Sequence, residues 1–273
     1  HIGKILRYCA LSLVFLGFCL SVSGQSVGDY RTVNTGTWTT DAIWERYNGA
    51  TWSTPNRYPG EESGTGTVTI RHDVTLNTSP VNPIGSLIVQ SNLNQSNNNN
   101  NRTLTVSGDV LLSSGTLNVS SRNGYRIYLN IGGNFTIEGG LLTESANTYG
   151  EITFYGNSVQ VFSRAGGTIS NDIRFIVNSG SILDMGTSVL DGSSGTFTLN
   201  DGAGLITAHP QGISASGNSG SIQVSGTRTF SSGADYSYNG IAAQVTGTGL
   251  PASVRNFTIS NTSGVSLTSS QSV

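Results

Sequence analysis

The chain has 273 residues, with 13 Lys and Arg against 15 Asp and Glu, a formal charge of −2 and only 10% charged residues. Lys4 is the one lysine and no basic stripe occurs, which excludes the concentrated positive charge that nucleic-acid binding needs to displace counterions. Gly, Ser, Thr and Asn saturate every segment, and apolar residues recur at i, i+2 rather than at i, i+3, i+4, which excludes an array of helices.

The first stretch, "HIGKILRYCALSLVFLGFCLSVSGQS", has a basic start at Lys4 and Arg7, an apolar run from about Tyr8 to Leu20 and a small-residue exit at Val22, Ser23 and Gly24. Residues 1–24 therefore read as a secretory signal peptide, cleaved after Gly24, and not as a membrane span. A lipid anchor at Cys19 is the competing reading, disfavoured by the bulky Phe18 before it. The mature chain is expected to be secreted or held at the outer cell surface, without inserting into the membrane. Both cysteines, Cys9 and Cys19, fall inside the signal, so stability must come from backbone hydrogen bonding and burial without disulfides. The mature chain has eleven arginines against fifteen acidic residues, a formal charge of −4.

Residues 25–64 hold all three tryptophans, Trp38, Trp44 and Trp52, with Tyr47, Tyr58 and Pro59. Two readings are open for these rings. They form an apolar plug over the first coil of a strand-repeat region, or an exposed patch that stacks on sugar faces; the plug is favoured, since large rings bury most surface when they have a core to enter. The plug predicts that Trp38→Ala lowers stability.

Residues 65–273 repeat one phrase: an apolar-x-apolar triplet, a small polar turn, then a second apolar run. The second apolar residues of the triplets, Val89, Val106, Ile131, Phe154, Val177, Leu199, Val224 and Ile259, are spaced by 17, 25, 23, 23, 22, 25 and 35. Such a period means a solenoid. With period-2 patterning inside each repeat, the expected fold is all-β: a right-handed parallel β-helix of about seven to eight three-strand coils, capped by the aromatic head. In the coil from Leu104, strands are expected at Leu104 to Val106, Val110 to Leu112 and Leu117 to Val119, with glycine turns "SGD" and "SSG" between them. Leu104 and Val106 should face inward and Thr105 outward.

Position in the chain gives three further expectations. The stretch "SNLNQSNNNNNRT" before Leu104 is expected to be a polar mobile loop, with a stacked amide ladder as its alternative. The stretch "SYNGIAAQVTGTGLPAS" should be an insertion with some extra extended structure. Arg126, Glu151 and Arg174, spaced by 25 and 23, should form an alternating-charge column, or else three separately solvated side chains.

No catalytic set is visible. Asp172, Asp184, Asp191 and Asp201 are dense, with Arg174 near, but their spacings of 12, 7 and 10 are not the coil period, so they should point from different faces. His72 and His209 stand 137 residues apart, without a metal-ligand spacing, and no serine sits in a nucleophile elbow. "GTG" at Gly64 to Gly66 and Gly247 to Gly249 reads as turn chemistry and not as a dinucleotide loop. No catalytic, cofactor-binding or metal residue is assigned, and any ligand-binding residues stay unassigned.

The Trp block, "YPG", "TVTIRHDVTL" and the stretch from "SGNSGSIQVSG" to "VSLTSS" resemble the large β-strand-repeat surface proteins of the Bacteroidetes. The resemblance spans nearly the whole mature chain and implies export by signal peptide and type IX secretion, further coils, and a C-terminal sorting domain beyond this N-terminal fragment. The expected function is a non-enzymatic, adhesin-like surface stalk. The alternative is an accessory or carbohydrate-binding region of a secreted polysaccharide-degrading enzyme. Expected partners are cell-surface or extracellular polysaccharide, and a second copy through end-to-end association, with no nucleic acid.

Overall fold

The structure, a computed structural model, describes residues 24–96, 98–270 and 272. Apart from Gly24, the expected signal peptide with Cys9 and Cys19 lies outside the described residues.

Alternation decides the local structure. In Ile127–Ile131, Ile173–Val177 and Thr67–Ile70 every second side chain is buried, and the intervening Thr, Asn, Tyr and Arg side chains lie nearer solvent. A single strand of this kind can hide only one face. The chain resolves this by winding three strands per turn so that all the apolar faces meet in one core. The result is a β-solenoid of about nine turns, somewhat more than the seven or eight expected from the triplets.

Three sheets wall the winding, one along its length and two over part of it. Sheet A is the longest, with twelve strands ordered from Asn256–Ile259 back to Tyr30–Thr32 and its hairpin. Sheets B and C have six strands each, from Gly36–Thr37 to Thr168–Ile169 and from Arg102–Val106 to Arg228–Phe230. Neighbouring strands come from successive coils and pair in parallel. Residues one coil apart therefore stack: Val106, Ile131, Phe154, Val177 and Leu199 form one buried column in sheet C. Each such side chain contributes about 1.5–3 kcal/mol by leaving water.

The coil from Leu104 has strands Arg102–Val106, Val110–Leu112 and Thr116–Asn118, with Leu104 and Val106 inward and Thr105 outward, as its alternation predicts. Its two turn glycines act differently. Gly115 takes φ 66°, where a Cβ would collide with the Ser91 backbone, whereas Gly108 lets the chain pass so close that a Cβ would lie 2.7 Å from the Gly85 carbonyl oxygen.

Some of the eight triplets belong to other columns. Val89 and Ile259 lie in sheet A, opposite Leu112 and Tyr238, and Val224 is a buried residue outside the named strands. The sheet C neighbour of Leu199 is Phe230, because residues 208–227 form an excursion between coils. Buried Arg228 holds that excursion by donating to the carbonyls of Val224, Ser214 and Gly217. The excursion over residues 208–227 was not expected; the insertion that was expected contains the short strand Gln244–Val245, paired with Val265–Ser266.

The loop expected before Leu104 is corrected in part. Asn92–Gln95 is a strand of sheet B, because Leu93 supplies a buried anchor, and Asn94 stacks in register with Thr75 and Asn118. Residues beyond it turn the corner, where Gln95 Nε2 donates to the Asn100 carbonyl at 3.2 Å.

The head is part of the winding. Tyr30–Thr32 and Gly36–Thr37 already pair in parallel with Thr67–Ile70 and Val74–Leu76. The antiparallel hairpin Trp44–Tyr47 and Trp52–Ser53 then covers the free edge of Tyr30–Thr32. Trp38 and Trp44 are fully buried and meet edge to face at 5.1 Å. At the other end the edge strand Asn256–Ile259 is only lightly covered: Ile259, inward by register with Tyr238, is 49% exposed.

Candidate functional site

The outward side chains of sheet C form two columns. One contains Thr103, Tyr128, Glu151, Arg174 and Thr196; the other contains Thr105, Asn130, Thr153, Ile176, Thr198 and Thr229. Over the later coils this face carries two adjoining shallow depressions, open to solvent, of about 260 and about 780 Å³, that share Thr198 and Thr229. Glu151 and Arg174 stand at one end, and Asn178, Asn200, Asp201 and Ser231 at the other. The Asn178 and Asn200 amides lie 3.5 Å apart, and Asp201 accepts from the Ser231 hydroxyl.

At the corner where the chain enters sheet C, the expected charge column is replaced by a stack. The coils there are 23 residues apart, since Ile131 stands opposite Phe154, so Arg126 falls on Tyr149 and not on Glu151. The Tyr149 ring lies between two guanidinium groups, Arg126 at 3.4 Å and Arg174 at 3.2 Å from its centroid. Such contacts contribute about 0.5–2 kcal/mol, more as they lose water. Arg126 is 8% exposed, and its terminal nitrogen donates to Thr148 Oγ1 at 3.0 Å. Among the described residues, no ion pair joins Glu151 to either arginine.

Two carboxylates lie beside this stack. Glu144 is 6% exposed and accepts the Ala146 backbone N–H at 3.0 Å. Burial pushes its pKa above the ordinary range, backbone N–H groups of Ala146, Asp172 and Thr148 oppose that, and the neighbouring Asp172 carboxylate adds to it. Asp172 is also raised by burial, against the pull of Arg174 and Arg126, and its Oδ1 is buried without a partner.

A carboxyl whose pKa is raised by folding binds its proton more tightly in the folded state. Its contribution is therefore fully present in acid and is lost as pH rises from the unfolded value through the folded one. Glu144→Gln is expected to raise the melting temperature near about pH 7 and to leave it unchanged near about pH 3. Thermal melts of both proteins across that range check this. A lower melting temperature of the variant at neutral pH would show that the ionised carboxylate is a net stabiliser.

The other sequence candidates do not converge. Asp184 accepts the Gly186 N–H at 2.8 Å at the end of a sheet A strand, Asp191 pairs with Arg164 at 2.5 Å, and Asp201 lies in the turn that follows the sheet C strand Thr196–Leu199. Only Asp172 has a carboxylate neighbour, Glu144, which sequence spacing did not suggest because both sit on corners. His72 is held by Thr32 in the head, while burial lowers the pKa of His209 in the excursion between later coils. No group of three or more metal-ligating side chains occurs among the described residues.

Trp52 differs from the other two tryptophans. It is half-buried on the hairpin, with the Arg31 guanidinium 4.2 Å from its ring and Tyr47 at 5.4 Å. No family model, curated protein or solved structure matches the chain.

Proposed function

We propose that this chain is part of an exported, non-enzymatic surface stalk of the adhesin-like kind, whose role is reach and display. The observation that carries the reading is the unbroken parallel ladder of sheet A. It joins strands from Tyr30–Thr32 to Asn256–Ile259, so that each coil hydrogen-bonds to the next along the whole axis. A quasi-one-dimensional stack of this sort suits a spacer, because length is added coil by coil without redesigning the core.

Secretion through the signal in residues 1–24, and the resemblance to Bacteroidetes β-strand-repeat proteins exported by type IX secretion, belong to the same proposal. So does end-to-end association of two copies.

The test is protease treatment of intact source cells with immunodetection of this chain, beside an assay for reducing ends after the purified chain meets polysaccharide. Loss of the chain from intact cells, with no new reducing ends, supports the stalk. Protection of the chain until the cells are lysed, or released reducing ends, would overturn it.

The hollowed face of sheet C favours a second reading, the accessory or carbohydrate-binding region of a secreted polysaccharide-degrading enzyme. It differs from the stalk in requiring a catalytic module on the same polypeptide, which the size and downstream coding sequence of the natural product would reveal.

A further inference from the structure

We propose that the outer face of sheet C binds a segment of neutral polysaccharide, lying in the trough between Glu151 and Arg174 at one end and Asn200 and Asp201 at the other. This assigns a ligand site that the stalk reading does not require.

At one end of the trough an ion pair fails to form. Glu151 and Arg174 are directly opposite in adjacent parallel strands, with outward side chains. Strands lie about 4.8 Å apart, and opposite charges at that spacing ordinarily pair. Here the guanidinium is drawn onto Tyr149, its Nε is left without an acceptor, and the Glu151 carboxylate has no hydrogen-bond partner among the described residues. That Nε is buried, so what faces the trough's end is the unengaged Glu151 carboxylate beside the outer nitrogens of Arg174. Adjacent hydroxyls of a sugar, each able to donate and accept, match that arrangement.

The floor of the trough is polar. Thr196, Thr198, Thr227 and Thr229 line it, and beyond them Asn178, Asn200, Asp201 and Ser231 continue the polar surface. Glu151, Arg174 and Thr196 stand in successive coils and Arg228–Phe230 adds a fourth, so the face spans about 14 Å across its strands, longer than one sugar ring. The strands Gly150–Phe154, Ile173–Val177 and Thr196–Leu199 are paired on both sides, Arg228–Phe230 is the edge strand of sheet C, and among the described residues Ile176 is the one aliphatic side chain at the trough's outer surface. The face offers hydroxyl, amide and carboxylate chemistry, which is the polar complement of a glycan.

Charge selects the class. The trough carries two carboxylates, Glu151 and Asp201, against one guanidinium, Arg174. Acidic polysaccharides meet net repulsion there, whereas neutral ones do not.

The experiment is native affinity electrophoresis of the purified full chain in gels containing mixed-linkage β-glucan, galactomannan or starch, with polygalacturonate as the acidic comparison. At least one neutral polymer is expected to retard the chain. Glu151→Gln and the double variant Thr198→Val with Thr229→Val are expected to weaken that binding by about tenfold each, with unchanged melting, because these side chains face solvent. Three results would overturn the proposal: no retardation by any of the three neutral polymers, stronger retardation by polygalacturonate, or neutral binding unaltered in those variants. Binding abolished by Trp52→Ala but kept by Glu151→Gln would place the site on the head instead, and equally overturn it. The stalk reading stands or falls separately, on cell-surface exposure.

Discussion

Trp38→Ala is expected to destabilise the first turns of the solenoid by about 3–5 kcal/mol and to leave the later coils nearly untouched. The indole is fully buried, its Nε1–H donates to the Pro59 carbonyl at 2.9 Å, and its own carbonyl accepts from Trp44 Nε1 at 2.8 Å. Truncation removes a large ring from the mouth of the core, loses the edge-to-face contact with Trp44, and strands the Pro59 carbonyl. Because each coil touches only its neighbours, the loss stays local. Amide exchange should accelerate in Tyr30–Thr32 and Thr67–Ile70 while Ile173–Val177 keeps its protection.

Trp52→Ala is the matched comparison. Trp52 is half-buried and holds Arg31 by a surface cation–π contact, so its loss should cost no more than about 1 kcal/mol. Equal exchange rates in wild type and Trp38→Ala would mean that the head does not seal the core. The three tryptophans thus divide the alternatives posed by the sequence: Trp38 and Trp44 plug the winding, and Trp52 alone keeps a face near solvent.

The winding was legible because one period governs both burial and register. A triplet such as Leu104-Thr105-Val106 tells which side chains face inward, and a spacing of 22 to 25 tells that the next triplet stacks on it. The triplet does not tell which sheet it enters, since every strand of all three sheets obeys the same alternation. Val89 and Ile259 were therefore counted with a column that belongs to sheet C, although they stand in sheet A.

The candidate site was less legible for a related reason. Coil length varies by several residues at the corners, and a shift of two moves an outward side chain to the next column on the same face. Arg126 plus 25 is Glu151, but the register there is 23, which puts Tyr149 beneath the guanidinium. Glu144 and Asp172 lie on corners, where alternation carries no information, and nothing in their spacing predicts that they meet. The threonines of the trough were visible as outward residues, but only the observed register shows Thr196-x-Thr198 lying directly beside Thr227-x-Thr229.

Gln160→Leu is expected to destabilise the coil that contains it by about 2–5 kcal/mol, although the new side chain is more apolar and similar in size. Gln160 is 1% exposed and fastens a corner from inside: its Oε1 accepts the Gly156 N–H at 2.8 Å, and its Nε2 donates to the carbonyls of Ile131 at 2.9 Å and Gly133 at 2.6 Å. Leucine satisfies none of these, and buried backbone groups left unpaired cost about 1–3 kcal/mol each. The same device recurs at another corner, where Gln244 accepts from Gly240 and donates to the carbonyls of Thr207 and His209, with Gly and Gln again four residues apart. That recurrence separates a structural requirement from an accident of one loop. Gln160→Glu should be at least as damaging, since an ionised carboxylate cannot donate to either carbonyl, whereas Gln90→Leu, at an exposed position, should fall within about 0.5 kcal/mol of wild type. Chemical denaturation of the three variants decides it: if Gln160→Leu matches Gln90→Leu, the corner does not depend on the amide, and the G-x-x-x-Q spacing has no structural meaning.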